Sequence, residues 1–142
     1  MKLNMLLLAM LLAPAVHAEP FISEYVEGSS NNKALEIYNP SNSPLNLSGY
    51  SIKVFSNGAV TAGKTVNLSG EIAAKSTLVL VDTSAIQELK DKQTSASLTL
   101  GSGNFNGDDA VALYNGSTLI DVIGQIGSDP GTTWGSGDVQ TL

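Results

Sequence analysis

The stretch FISEYVEGSSNNKALEIYNP, Phe21 to Pro40, alternates apolar and polar residues on both sides of a loop of Gly, Ser and Asn. Alternation of period two marks a strand with one face buried, and Gly, Ser and Asn supply the turn between two such strands. Phe21–Val26 and Ala34–Tyr38 are therefore expected to pair. Two carboxylates need placing. On strict alternation Glu24 shares a face with Ile22 and Val26, while Glu36 sits with Ala34 and Tyr38, opposite Leu35 and Ile37. Glu36 is then expected in solvent, and Glu24 partly buried and held by Lys33 or by loop amides. The sharper alternative is a glycosidase-like acid/base couple or a metal site. Such a couple also needs a cleft and a perturbed environment, and nothing else in the chain points to a sugar site.

Similar punctuated runs continue outward. Gly49–Phe55 alternates and stops at the Asn57-Gly58 turn signal, and Ala59–Leu68 is a weaker strand interrupted by Gly63. Ser76–Val81 is nearly all apolar, as a strand covered on both faces would be. Ala96–Leu100 is a further short candidate. The clearest hairpin joins Ala110–Tyr114 to Ser117–Ile123 through Asn115-Gly116. Only SAIQELKDK, Ser84–Lys92, breaks the period: Ile86 and Leu89 lie three apart, with Thr83 or Ser84 as cap, so one short helix is expected. Many short strands with Gly/Asn/Ser turns predict an all-β antiparallel sandwich or barrel. Its expected core is Leu35, Ile37, Ile52, Val54, Leu78, Leu80, Val111, Leu113 and Ile120. A lone Trp134 stands in the Gly-rich end of the chain.

Residues 1–18 stand apart from this pattern. Lys2, the apolar run Leu3–Ala13 and the small residue ending Val16-His17-Ala18 read as a secretory signal peptide, too short to span a bilayer. A secreted, extracellular or periplasmic protein follows, with no transmembrane segment and one domain over 19–142. Cysteine is absent, so stability has to come from the core alone. Without its first eighteen residues the chain has six lysines against thirteen acids, a net charge of minus 7, and neither arginine nor histidine. That field is wrong for nucleic acid, whose affinity comes largely from Lys and Arg on phosphates. No strong nucleic-acid binding by this domain alone is expected.

The same inventory narrows the chemistry. A hydroxyl nucleophile lacks a histidine base, zinc lacks its nitrogen and sulfur ligands, and GSGNFNG has no lysine with which to cradle phosphate. No catalytic residue is assigned, and no cofactor is required. The one metal candidate is the loop GSGNFNGDD, where Asn104, Asn106, Asp108 and Asp109 offer oxygen ligands of the kind calcium takes. It departs from an EF-hand in the place of its glycine and the lack of a closing glutamate. The competing reading is turn chemistry, with Asp108 or Asp109 capping backbone amides ahead of the strand. Asn-x-Ser sequons at Asn46, Asn67 and Asn115 fall in turns where those residues are favoured anyway.

Four segments together resemble a lamin tail domain, in the version found at the N-terminus of bacterial secreted nucleases: ISEYVEGSSNNKALEIYNP, LNLSGYSIKVFSNG, NGDDAVALY and DVIGQIGSDPGTTWGSGDVQTL. The resemblance implies an immunoglobulin-like β-sandwich without the disulfide. It implies that catalysis in the relatives belongs to a separate C-terminal nuclease domain of the endonuclease/exonuclease/phosphatase type, absent from this chain. The expected function is thus a non-catalytic accessory or binding module of a secreted or surface-associated nuclease, acting in positioning, export or contact with an envelope or protein partner. The alternative is a divalent-cation-dependent binding domain or small hydrolase using surface carboxylates. In the relatives a Thr-Leu followed by basic residues forms the closing strand, so residues 19–142 are expected to be truncated before that last strand, which is missing or only begun at Thr141-Leu142.

Overall fold

The computed structural model describes residues 18–136 and 139–141. Residues 1–17, nearly all of the expected signal peptide, residues 137 and 138, and Leu142 lie outside the described residues. Two antiparallel sheets make the body. One has the order β1 (Phe21–Glu27), β2 (Lys33–Tyr38) and β7 (Thr77–Val81); the other runs β5 (Lys64–Asn67), β4 (Tyr50–Phe55), β8 (Ala110–Asn115) and β9 (Thr118–Ile123). Two-residue strands β3 (Leu45–Asn46) and β6 (Glu71–Ile72) pair with each other, as do β10 (Gly135–Ser136) and β11 (Val139–Gln140). The fold is the expected immunoglobulin-like sandwich, with α1 (Gln87–Lys90) its short helix.

Alternation builds the core. Leu35, Ile37, Leu78 and Leu80 point inward from the first sheet and meet Ile52, Val54, Val111 and Leu113 from the second in one buried cluster. Ile120, also expected there, is only partly buried against it. The strand β8 is buried along Ala110–Leu113 because its outer face is covered too: Phe55, Ala110 and Ala112 form a second cluster under Ile126 and Val122. On the first sheet, Ala34 and Val81 are buried on the outer side against Ala85, with Leu89 of α1 packed on them. The apolar run of β7 is thus explained by burial on two faces.

Three expectations are corrected. In β1 a bulge lies between Ile22, opposite Ile37, and Glu24, opposite Glu36. The extra residue, Ser23, resets the alternation, so Ile22 and Tyr25 both pack on the core while Glu24 is exposed on the outer face. Lys33 accordingly holds Glu27 rather than Glu24 (Nζ to Oε1, 3.2 Å). Ala96–Leu100 is not a strand: a turn from the Ser95 carbonyl to the Leu98 amide interrupts it, leaving a single parallel bridge between Asp82 and Gly101. The chain here still shields the edge of β7: Thr94 Oγ1 accepts from the Val79 amide at 2.8 Å, and the Leu100 amide donates to the Val81 carbonyl at 3.0 Å. The helix starts later than Thr83 or Ser84: Asp82 Oδ1 accepts from the Ser84 amide, and Ile86 stands at the N-cap without a side-chain cap. The expected closing strand at Thr141-Leu142 falls on the edge of the described residues: Thr141 follows β11, and Leu142 lies outside them.

Candidate functional site

Three loops meet at one end of the sandwich: residues 28–32 after β1, the 3-10 turn Ser56–Gly58 after β4, and the segment 101–109 before β8. They border a polar pocket of about 330 Å³ lined by Asn31, Lys33, Asn57, Asn104, Asn106 and Asp109 among others. Turn chemistry brings them there. Asn57 adopts a left-handed conformation (φ 51°), which Asn tolerates better than most residues. Its amide donates to Asp109 Oδ1 at 3.0 Å.

Asp109 is the buried clasp between two of these loops. Its Oδ2 accepts from the Asn106 amide at 3.1 Å and from Ser56 Oγ at 3.3 Å, in addition to the Asn57 bond. This is the capping role that turn chemistry allowed for the Asp pair. Asn104 turns a different way, accepting from Lys64 Nζ and donating to Asp82 Oδ2 at 2.7 Å. The Asn106 carbonyl accepts from the Tyr25 hydroxyl at 3.2 Å. Of the four candidate ligands, Asp108 alone has a buried side-chain oxygen, Oδ1, without a hydrogen-bond partner among the described residues. Among the described residues no group of three or more His, Cys, Asp or Glu side chains has metal-binding geometry.

The sequence reading missed the groups that organise this end. Tyr25 stacks on Phe105 (centroids 4.7 Å apart, planes at 30°) and donates to Glu27 Oε2 at 3.0 Å. Burial pushes its phenol well above the ordinary range, and the charges of Glu27, Asp109 and Asp108 push it further the same way. Lys33, itself buried, donates to Glu27 and to the Gly28 carbonyl at 2.9 Å. A signal for that pair exists in the chain: Glu27 and Lys33 are opposite charges closing the same hairpin loop, and they are register partners. Burial lowers the Lys64 ammonium below its ordinary range, with Asp82 opposing.

Glu24 and Glu36 come together elsewhere, on the outer face of the β1–β2–β7 sheet, as direct cross-strand partners. They edge a groove of about 380 Å³ with Val26, Val79, Leu89 and Lys92. Ser23 Oγ donates to Glu36 Oε1 at 2.7 Å.

The Lamin Tail Domain family model matches residues 13–127, which take in β1 through β9. No curated protein matches the chain. No helix among the described residues is long and apolar enough to cross a membrane.

Proposed function

The chain belongs to the lamin tail domain family, a family of non-enzymatic immunoglobulin-like binding and accessory domains, and from that premise we propose that it is the accessory module of an exported bacterial nuclease. The observation that carries the non-catalytic part is the use made of Asp109. Three donors from two loops fill its carboxylate, so this buried acid of the loop end holds the loops in place rather than facing a substrate. The nuclease part rests on the resemblance of the four quoted segments, and export on the leader-like residues 1–18.

Two measurements test the reading. Antibodies raised against this domain should deplete magnesium-dependent nuclease activity from the culture medium of the organism that makes it; activity left whole would remove the nuclease from the proposal. The chain purified alone should neither cleave DNA nor bind duplex or single strands below micromolar at about 150 mM salt, because few lysines are present to release counterions. Cleavage that survives purification would end the accessory reading.

A second reading, calcium at the loop end, has one observation in its favour: the partnerless buried oxygen of Asp108. An ion there would bind the folded state only and raise the melting temperature in millimolar calcium. A melting curve indifferent to calcium and to chelator would remove this reading.

A further inference from the structure

The outer face of the β1–β2–β7 sheet carries an arrangement that costs the free protein stability. Glu24 and Glu36 stand directly opposite each other in neighbouring strands, where like charges destabilise a sheet. The bulge at Ser23 creates this pairing by returning Glu24 to the outer face. Ser23 offers Glu36 a hydroxyl at 2.7 Å, but neither glutamate is ion-paired among the described residues, where the salt bridge found is Lys33–Glu27. The same two carboxylates rim an apolar groove of about 380 Å³ bounded by Val26, Val79 and Leu89. Lys92 also lines it and is its one cation.

An aliphatic floor beside two uncompensated carboxylates is complementary to a cation with an apolar neighbour. We propose that this groove docks an extended segment of a partner polypeptide that places a Lys or Arg side chain between Glu24 and Glu36 and, two residues along and so on the same face, an aliphatic side chain against Val26, Val79 and Leu89. The field of the whole molecule favours the same class of partner, because a net charge of minus 7 after the leader steers basic segments toward it. The inference deepens the binding-module reading and rests on it. Its test reads peptide binding by the chain itself, so it can fail while nuclease depletion succeeds, and the reverse.

The experiment is a fluorescence-anisotropy titration of the chain against a labelled peptide repeating Lys-Ser-Val-Ser, which sets lysine and valine on one face of an extended chain, at low and at physiological salt. Controls replace every valine by serine (the lysine–serine peptide) or every lysine by glutamate. The lysine–valine peptide should bind best, with an affinity that falls as salt rises. Glu24→Gln and Glu36→Gln should each weaken it about five-fold, as loss of a partly exposed ion pair would, and Lys92→Ala should tighten it. The two glutamine variants should melt no lower than the parent, since removing one carboxylate relieves the repulsion; a purely structural role for the glutamates would lower both melting temperatures. Three results would overturn the proposal: no saturable binding up to about 1 mM peptide, equal binding of the lysine–serine peptide, or affinity unchanged in the double glutamine variant.

Discussion

At the scale of single residues, the loop end is governed by Tyr25, which uses its ring on Phe105 and its hydroxyl on Glu27 and Asn106. Tyr25→Phe keeps the ring and removes the hydroxyl. We expect a loss of about 1 kcal/mol at neutral pH, the usual net value of a hydrogen bond of this kind, read by urea unfolding. The pH dependence is the stronger check. A phenol raised above its ordinary 10.0 by folding stays protonated after the unfolded chain has lost its proton. Its contribution is therefore fully present below pH 10 and is lost as pH climbs above that value. The slope from one such group is at most about 1.4 kcal/mol per pH unit, less where solvent screens the ring. Tyr50, also raised by burial first, adds to the same window. Lys64 acts with the opposite sign below 10.5, because its folded form releases its proton first and stability rises with pH there. Comparing the parent with Tyr25→Phe between pH 8 and 11 isolates Tyr25: the variant should lose less stability above pH 10. Equal slopes would show that the phenol is not held protonated by the fold.

At the scale of elements, two register irregularities decide where side chains go: the bulge in β1, and the shift between Leu113 and Tyr114 where β8 meets β9. Both lie where bulges are common, on edge strands or beside them. Asp121 of β9 then reaches across and accepts from the Ile22 amide at 2.7 Å, tying the two sheets along that margin. After β9 the chain turns at Gly124, whose φ of 84° suits glycine. A Cβ on Gly124 would lie 2.5 Å from Trp134 Nε1, which donates to the Asp109 carbonyl at 3.0 Å. Gly124→Ala should therefore strain the backbone and displace the indole, costing about 1–3 kcal/mol. Trp134 is the only tryptophan, so its emission reports the change, with a red shift expected. An unaltered spectrum and melting temperature would mean that the indole does not pack on this turn.

At the scale of the whole molecule, stability rests on the cluster between the sheets, since there is no disulfide. Leu113 is fully buried at the centre of that cluster, on the strand flanked by β4 and β9. Leu113→Ala removes three heavy atoms from a close-packed site and should cost about 2–5 kcal/mol, the range depending on how far the site collapses. A loss below about 1 kcal/mol in chemical denaturation would contradict the sandwich interior described above. The core also draws on residues that alternation does not mark: Leu47, Leu68, Leu100 and Phe105 are buried from loops. Their burial follows from loops crossing the open ends of the sandwich.

Local sequence marked the seven strands of the two sheets, an antiparallel sandwich or barrel, and eight of the nine expected core residues, because period-two alternation and turn residues are properties of neighbouring positions; it did not mark the two-residue strands β3, β6, β10 and β11, and it marked Ala96–Leu100 wrongly. It also located the loop 101–109 and the capping use of one Asp there, since Asx chemistry acts over two or three residues. Tertiary structure alone decided which face Glu24 takes, because one bulged residue reverses parity and carries no local signature. It decided that Asn104 turns to Lys64 and Asp82, that Tyr25 joins Glu27 to the Asn106 carbonyl, and that Glu24 meets Glu36 over an apolar groove. Most of these contacts join residues far apart in the chain, and their partners are chosen by how the two sheets and their loops close on each other.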